Sequence, residues 1–264
     1  MNDAHHTTSV AIGGLPIGIT SADGEFIAML ERRYAGFLGG DAAVQFEVDV
    51  VPPSQIGDDE DLAVRREGER WTMTRGDFRA DFDPVSQRGK VRQGAYPYAI
   101  DSVMRIVHSL MLVERGGFLL HAASVVRNGR AFIFSGVSGA GKTTISRLAP
   151  SDVTLLTDEI SYIKPTNEGY RAFGTPFAGE LARSGENIAA PLGALYFLKQ
   201  GASNDTQVIR GSDAARRLLR NILFFADDRA LVQKLFGIAC DFVSRVPVYE
   251  LTFKPTVEVW DLIR

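Results

Sequence analysis

The segment 135-SGVSGAGKTT-144 combines glycines with a lysine and several hydroxyl side chains, a set that suits phosphate groups. Gly136, four intervening residues and then 141-GKT-143 complete the phosphate-loop pattern, after an apolar strand pattern and before a helical one. Glycines let successive backbone N–H groups point at phosphate oxygens, and the following helix presents its positive end. We expect Lys142 to reach the β- and γ-phosphates of ATP and the Thr143 hydroxyl to ligate Mg²⁺; the alternative is a glycine-rich turn with an exposed lysine. The residues predicted to bind the nucleotide are Gly136, Ser138, Gly139, Ala140, Gly141, Lys142, Thr143 and Thr144.

Two adjacent acids end an apolar run sixteen residues after Lys142, in 155-LLTDEI-160. That spacing leaves room for a short helix, a turn at 150-PS-151 and one strand. Carboxylates at this position could hold Mg²⁺ through water and accept a proton from an attacking hydroxyl. Asp158 and Glu159 are therefore candidate catalytic residues, and Asp158 is also a candidate metal residue. The alternative is that this acid pair only caps a strand on a solvated edge.

A predicted hairpin places a histidine beside the glycine-rich segment. The dipeptide 128-NG-129 favours a two-residue type I′ turn between two apolar runs. Counting back from that turn pairs Ala122 with Ser135 and His121 with Gly136. His121 is therefore predicted to contact a phosphate or a metal at the mouth of the loop, whereas the alternative is a structural histidine on a strand.

Strands and helices are predicted along both parts of the chain, and those of the second part must position the candidate site residues. The first part reads as a helix over residues 27–37, a strand over 44–50, a hairpin turning at Gly76 and a helix beginning near Pro97. Later strands are predicted at 118–126, 130–135, 153–161, 170–175, 193–199 and 247–253, and helices at about 142–149, 212–223 and 229–244.

The composition disfavours nucleic acid and membrane as partners. Lys and Arg number 29 against 32 Asp and Glu, giving a net charge of −3, whereas nucleic-acid binders usually carry a basic excess. No apolar run reaches the length of a membrane span, and no secretory signal pattern opens the sequence, so we expect a cytoplasmic protein. The single cysteine, Cys240, is expected to be a buried small hydrophobe. The apolar run 222-ILFFA-226 could form a contact between copies of the chain, so a homo-oligomer is one alternative.

The run 119-LLHAASVVRNGRAFIFSGVSGAGKTTIS-146, followed by 155-LLTDEI-160, resembles the catalytic core shared by HPr kinase/phosphorylase and phosphoenolpyruvate carboxykinase. Both families carry a histidine on the strand before a GxSGxGK[ST] loop and a close pair of acids on the next strand. The resemblance to the kinase implies that Glu159 is the base for a serine hydroxyl, although that family usually has aspartate there. The resemblance to the carboxykinase implies that His121 and Glu159 are metal ligands. The segment 173-FGTPFAGEL-181 replaces an arginine- and glycine-rich signature of the kinase family, and Glu180 corresponds to a later metal-contacting glutamate.

This resemblance implies an α/β fold, with a mixed β-sheet P-loop kinase domain of the HPr kinase and phosphoenolpyruvate carboxykinase type over residues 96–264. A smaller α+β domain would precede it at residues 1–95 and could recognise the substrate. The implied activity is an ATP- and Mg²⁺-dependent transfer of the γ-phosphate to a serine hydroxyl of a protein or peptide, as in HPr kinase-like proteins of lasso-peptide systems. The alternatives are a kinase for a small-molecule alcohol and a non-catalytic regulatory protein that binds ATP.

Overall fold

The computed structural model describes residues 5–52, 56 and 61–264, which form a mixed α/β structure with two compact units. The first unit contains the described residues up to Leu110 together with Phe224–Arg229, and the second contains Met111–Leu223 and Ala230–Arg264. The division passes through the helix Pro97–Glu114, which was predicted to lie wholly within the second domain.

The first unit is built on a seven-stranded mixed sheet in the order β1-β2-β3-β7-β6-β5-β4. The alternation predicted for residues 44–50 is confirmed, because Val44, Phe46 and Val48 are buried while the intervening side chains are exposed. The strands are β1 (His6–Ile12), β2 (Leu15–Ser21), β3 (Val44–Val50), β4 (Ala63–Glu67), β5 (Arg70–Arg75), β6 (Phe78–Asp83) and β7 (Arg88–Gln93).

Two helices accompany this sheet in the chain. The helix α1 (Gly24–Arg33) begins at Asp23, whose side chain accepts a hydrogen bond from the Phe26 N–H, and α2 is Pro97–Glu114. The carboxylate of Asp101 on α2 is buried and accepts hydrogen bonds from the Tyr34 hydroxyl and the Arg33 guanidinium. These contacts fasten the end of α1 to α2.

The second unit is built on a nine-stranded mixed sheet and three helices. The long strand β8 pairs with β11 and β15 along its first half and with β9 and β10 along its second half. The strand β13 runs parallel to both β9 and β16. The strands are β8 (Phe118–Arg127), β9 (Arg130–Ser135), β10 (Thr154–Thr157), β11 (Ile160–Thr166), β12 (Gly169–Phe173), β13 (Ala189–Gln200), β14 (Asp205–Val208), β15 (Ile222–Leu223) and β16 (Val248–Phe253), and the helices are α3 (Lys142–Arg147), α4 (Gly211–Leu219) and α5 (Arg229–Arg245).

The hairpin of β8 and β9 has the predicted register, with Ala122 opposite Ser135. Asn128 and Gly129 both have positive φ, 51° and 74°, as a type I′ turn requires. The prediction of one strand over residues 153–161 is wrong, because Thr157 ends β10 and Ile160 begins β11. The acid pair lies in that break.

The core of the second unit collects apolar side chains from the sheet and the C-terminal segment, including Phe134, Tyr196 and Trp260. The prediction that Cys240 is buried is wrong: it is exposed, because it lies on the outer side of α5, whose inner side carries the buried Ala239 and Phe242. Within the described part of the chain, none of the helices is both long enough and apolar enough to cross a membrane.

Candidate active site

The glycine-rich loop, residues 136–144, follows β9 directly and leads into α3. Gly139 and Gly141 have φ of 76° and 110°, which favour glycine. A Cβ on Gly141 would lie 2.7 Å from the ring of Phe253, so only glycine lets the loop approach this core residue. Val137, Ser138 and Gly139 are exposed at the tip of the loop, and the Gln200 side chain donates to the Gly139 carbonyl over 2.7 Å.

Lys142 is half-buried at the start of α3 and its ammonium donates to the carbonyl of Gly136 over 3.3 Å. Burial lowers the pKa of Lys142 from its usual 10.5, while the charges of Glu159 and Glu180 act in the opposite direction. The Lys142 side chain thus lies within the electrostatic reach of two carboxylates, and its positive charge can attract a polyanion bound at the loop.

The break between β10 and β11 leaves the two acids with different degrees of exposure. The Thr157 hydroxyl accepts hydrogen bonds from the backbone N–H groups of Glu159 and Ile160, over 3.2 and 3.1 Å, which fixes the turn. The side chain of Glu159 is 32% exposed, whereas Asp158 as a residue is 3% exposed. The two neighbouring carboxylates therefore have different surroundings.

The carboxylate of Asp158 holds the backbone of a neighbouring segment, residues 174–188, called here the glutamate loop. Its two oxygens accept hydrogen bonds from the N–H groups of Gly179, over 2.9 Å, and Leu181, over 2.8 Å. These two residues flank Glu180. Asp158 thus sets the position from which the Glu180 side chain extends.

Glu180 faces the glycine-rich loop. Its carboxylate accepts a hydrogen bond of 2.8 Å from the Thr143 hydroxyl. Gly179 makes room for the acid pair, because a Cβ there would lie 2.7 Å from a Glu159 oxygen and 3.0 Å from an Asp158 oxygen. The absence of a side chain at this position allows the glutamate loop to approach both carboxylates closely.

The glutamate loop is also anchored along β10. The Thr175 N–H donates to the carbonyl of Leu156 over 3.0 Å, and the Glu186 N–H donates to that of Leu155 over 2.9 Å. Gly185 packs on the same strand, with the position of its missing Cβ only 1.7 Å from the Leu156 carbonyl oxygen. Both ends of the segment are therefore fastened to the strand that leads into the acid pair.

His121 lies on β8 opposite Ile160, immediately beside the acid pair. Its Nδ1 is 3.6 Å from a carboxylate oxygen of Glu159, beyond hydrogen-bond distance but close enough for attraction when the imidazole is protonated. Burial and the positive charge of Lys142 lower the pKa of His121 from its usual 6.5, while Glu159 raises it. The shift favours a neutral imidazole at neutral pH.

The structure thus brings together six of the predicted site residues: His121, Lys142, Thr143, Asp158, Glu159 and Glu180. Of the other predicted nucleotide-binding residues, Ala140 is buried and Thr144 is half-buried in the first turn of α3. Two further residues that support the site were not predicted: Gly179, whose N–H donates to Asp158, and Gln200, whose side-chain amide donates to the Gly139 carbonyl. The sequence did offer a signal for Gly179, because this glycine immediately precedes the candidate metal residue Glu180. Within the described residues, no cluster of three or more His, Cys, Asp or Glu side chains forms a metal cage.

Residues 97–264 match the family described as SynChlorMet cassette protein ScmC, which is 168 of the 264 residues of the chain. The matched segment contains the glycine-rich loop, His121, the acid pair and the glutamate loop. No curated protein matches the sequence.

Proposed function

Since the chain belongs to the SynChlorMet cassette protein ScmC family, we propose that this family member is an ATP- and Mg²⁺-dependent kinase that phosphorylates a serine hydroxyl of a protein or peptide. The observation that carries the proposal is the convergence of Lys142 on the glycine-rich loop with Glu159 and Glu180. A phosphate-binding loop and a partly exposed carboxylate are the two parts that phosphoryl transfer needs in one place.

The glycine-rich loop binds the phosphates of ATP in this proposal. Its backbone N–H groups surround the phosphate oxygens, and Lys142 neutralises charge on the γ-phosphate. The lysine donates to the Gly136 carbonyl over 3.3 Å, a weak contact that a phosphate oxygen can replace. We assign this unit to the P-loop kinase fold of the HPr kinase type, on the support of the loop, the hairpin before it and the acid pair after it.

Thr143 and Glu180 would hold Mg²⁺. Their two oxygens lie 2.8 Å apart at a partly exposed position, and both are hard donors of the kind that Mg²⁺ prefers. Mg²⁺ commonly binds through one or two protein groups together with substrate phosphates and water, so this small donor set fits the ion bound with a nucleotide. When bound, the ion supplies positive charge that offsets the charge of the phosphates.

Glu159 acts as the proton acceptor. The serine oxygen attacks the γ-phosphorus of ATP, the bond between that phosphorus and the β,γ-bridging oxygen breaks, and the hydroxyl proton passes to the Glu159 carboxylate. The products are phosphoserine and ADP. Glu159 suits this role better than Asp158, because it is partly exposed and has no backbone N–H bound to its carboxylate among the described residues.

His121 and Asp158 position the reacting groups. His121 borders Glu159 from the adjacent strand, and its neutral form places no additional positive charge against the site. Asp158 fixes the glutamate loop and, through it, Glu180. Because the proposed reaction consumes ATP, we place the enzyme in the cytoplasm, which supplies ATP.

The direct test is transfer of label from γ-labelled ATP, with Mg²⁺, to peptides encoded beside the gene and to host lysate, followed by mass mapping of the labelled residue. Lys142→Ala and Glu159→Gln should abolish label on serine, while the matched control Glu168→Gln, an exposed glutamate in the turn between β11 and β12, should retain it.

Three results would each contradict part of the proposed function. Label on a small-molecule alcohol alone would change the acceptor class. ATP binding without transfer to any acceptor would favour a regulatory nucleotide-binding protein. Equal labelling by wild type and Glu159→Gln would remove Glu159 from its assigned role.

A further inference from the structure

A groove between α4 and α5 in the second unit encloses a cavity of about 740 Å³. Its lining contains no residue of the glycine-rich loop, the acid pair or the glutamate loop. Four apolar side chains and a thiol line it: Ala215, Leu219, Phe236, Val243 and Cys240.

The helix α5 carries two apolar stripes rather than one. The inner stripe contributes to the core through Leu231, Leu235, Ile238, Ala239 and Phe242. The outer stripe consists of Val232, Phe236 and Cys240, one turn apart from each other, and Val232 and Phe236 are 51% and 56% exposed. A helix that only covers a core needs one apolar stripe, so the outer stripe is a surface available for another apolar element.

The rim of the groove is positively charged. Arg216 and Arg220 line it, and none of its lining residues is acidic. Arg216 is already paired with Asp213, at 2.5 Å, just outside the groove. Arg220 has no carboxylate within ion-pair distance among the described residues and is exposed. The groove therefore complements an element that is apolar along one side and negatively charged beside it.

A second copy of the chain fits this surface poorly. An isologous contact would bring the same groove from both copies together, and each copy would contribute Arg216 and Arg220 but no carboxylate from the groove. Four guanidinium groups facing one another across an apolar contact would repel and lose hydration.

We propose that this groove binds a helical segment of a partner polypeptide, with apolar side chains at three- and four-residue spacing and Asp or Glu along the flank that meets Arg220. Two helices that present apolar side chains around a groove are a common receptor for a third, amphipathic helix. Phe236 is the central contact, because it is the largest exposed apolar side chain on the rim.

The groove is connected to the candidate active site through the end of α4. Arg220 is followed by Asn221, whose backbone carbonyl accepts a hydrogen bond of 2.8 Å from the His121 N–H. The next two residues form β15 and pair with Leu119 and Leu120 on β8. A helix docked at Arg220 is therefore held beside the strand that carries His121, although its binding does not depend on phosphoryl transfer.

The test is a selection from a random library of displayed peptides of about 16 residues, roughly four helical turns, on the full-length protein. Peptides that also bind the Phe236→Ser variant are removed. We expect the survivors to carry a net negative charge and apolar residues at three- and four-residue spacing. The affinity of one survivor is then measured by fluorescence anisotropy.

Phe236→Ser and Arg220→Glu should each weaken that affinity by at least about tenfold, as loss of a central contact usually does. The controls are Val208→Ser, which removes a valine that is 56% exposed on β14, and Arg130→Glu, which reverses an exposed charge at the β8–β9 turn; both should change affinity less than about twofold. Circular dichroism of every variant separates loss of binding from loss of folding.

The proposal is overturned if no peptide depends on Phe236, or if the survivors are basic or lack the helical spacing. It is also overturned if the wild-type protein dimerises in sedimentation experiments and Phe236→Ser makes it monomeric, because the groove would then belong to a contact between copies of the chain.

Discussion

Asp158 is expected to be needed for the position of the glutamate loop rather than for proton transfer. Its carboxylate is buried and accepts from the N–H groups on both sides of Glu180, at 2.9 and 2.8 Å. The substitution Asp158→Asn keeps the size of the side chain but replaces one acceptor oxygen with an amide group that can only donate. One of the two backbone N–H groups then faces another donor.

The expected loss of folding free energy follows from these two hydrogen bonds. A hydrogen bond to a charged group contributes about 1.5–3 kcal/mol, and a buried donor left without an acceptor costs about 1–3 kcal/mol. Removing a buried charge offsets part of that loss, because the neutral amide is less costly to bury. We expect Asp158→Asn to lower the free energy of unfolding by about 2 kcal/mol, which shifts a urea midpoint by about 1 M when the denaturant slope is about 2 kcal/mol per M.

Tryptophan fluorescence can report this change in the second unit alone. The chain contains two tryptophans, Trp71 in the first unit and Trp260 in the buried core of the second. In a Trp71→Phe background, urea unfolding followed through Trp260 gives the midpoint of the second unit. The same background carries Asp158→Asn and Glu159→Gln as a matched pair of acid-to-amide substitutions.

The two substitutions should differ in their effects on stability and on phosphoryl transfer. Asp158→Asn should lower the midpoint and weaken the Mg²⁺ dependence of nucleotide binding, because Glu180 loses its support. Glu159→Gln should leave the free energy of unfolding within about 0.5 kcal/mol of the parent, as expected for a partly exposed side chain, but remove phosphoryl transfer. An unchanged midpoint for Asp158→Asn, or an equal loss of stability for both, would refute the division of roles between the two acids.

Three further results are expected. Gly179→Ala would place a methyl group 2.7 Å from an oxygen of the acid pair, so the transfer rate should fall; an unchanged rate would show that the glutamate loop can move aside. Gly141→Ala combines a φ of 110° with a contact of 2.7 Å to Phe253 and should cost about 1–3 kcal/mol in urea unfolding, more than Gly139→Ala, which has open space around it. Because the folded state holds the pKa of His121 below 6.5, the unfolded state binds more protons on acidification, and stability should fall as the pH drops below about 6.5. His121→Gln should reduce that pH dependence, and an identical pH profile would contradict the assigned environment.

Local sequence signals predicted the parts of the site that depend on short-range geometry. The 128-NG-129 turn fixes the register of β8 and β9, and counting along two strands was enough to place Ala122 opposite Ser135. The same kind of signal was overlooked near the N-terminus, where 13-GG-14 joins β1 to β2 with φ of 59° and 75°. Both strands were missed although their turn could have been predicted in the same way.

The contacts that complete the site could not be predicted by local reasoning. The glutamate loop reaches the acid pair through hydrogen bonds from its backbone N–H groups to the Asp158 carboxylate, between residues more than twenty positions apart in sequence, and such contacts leave no periodic pattern. The break between β10 and β11 was missed for a related reason. The apolar run favours a continuous strand, and only the Thr157 hydroxyl, bound to two N–H groups, shows where the strand ends.

The break explains why two adjacent acids have separate functions in the proposed mechanism. In a regular strand, neighbouring side chains point to opposite faces, so one of two adjacent acids would be carried away from the loop lysine. The turn at Thr157 instead leaves both carboxylates beside Gly179, where Asp158 accepts hydrogen bonds from the glutamate loop and Glu159 stays within the electrostatic reach of Lys142. The buried acid thus holds Glu180 in place by its backbone neighbours, and the exposed acid is left with free lone pairs for a proton. A substitution that straightened this turn would be expected to disturb Glu180 and Glu159 together, since both are positioned from the same two residues.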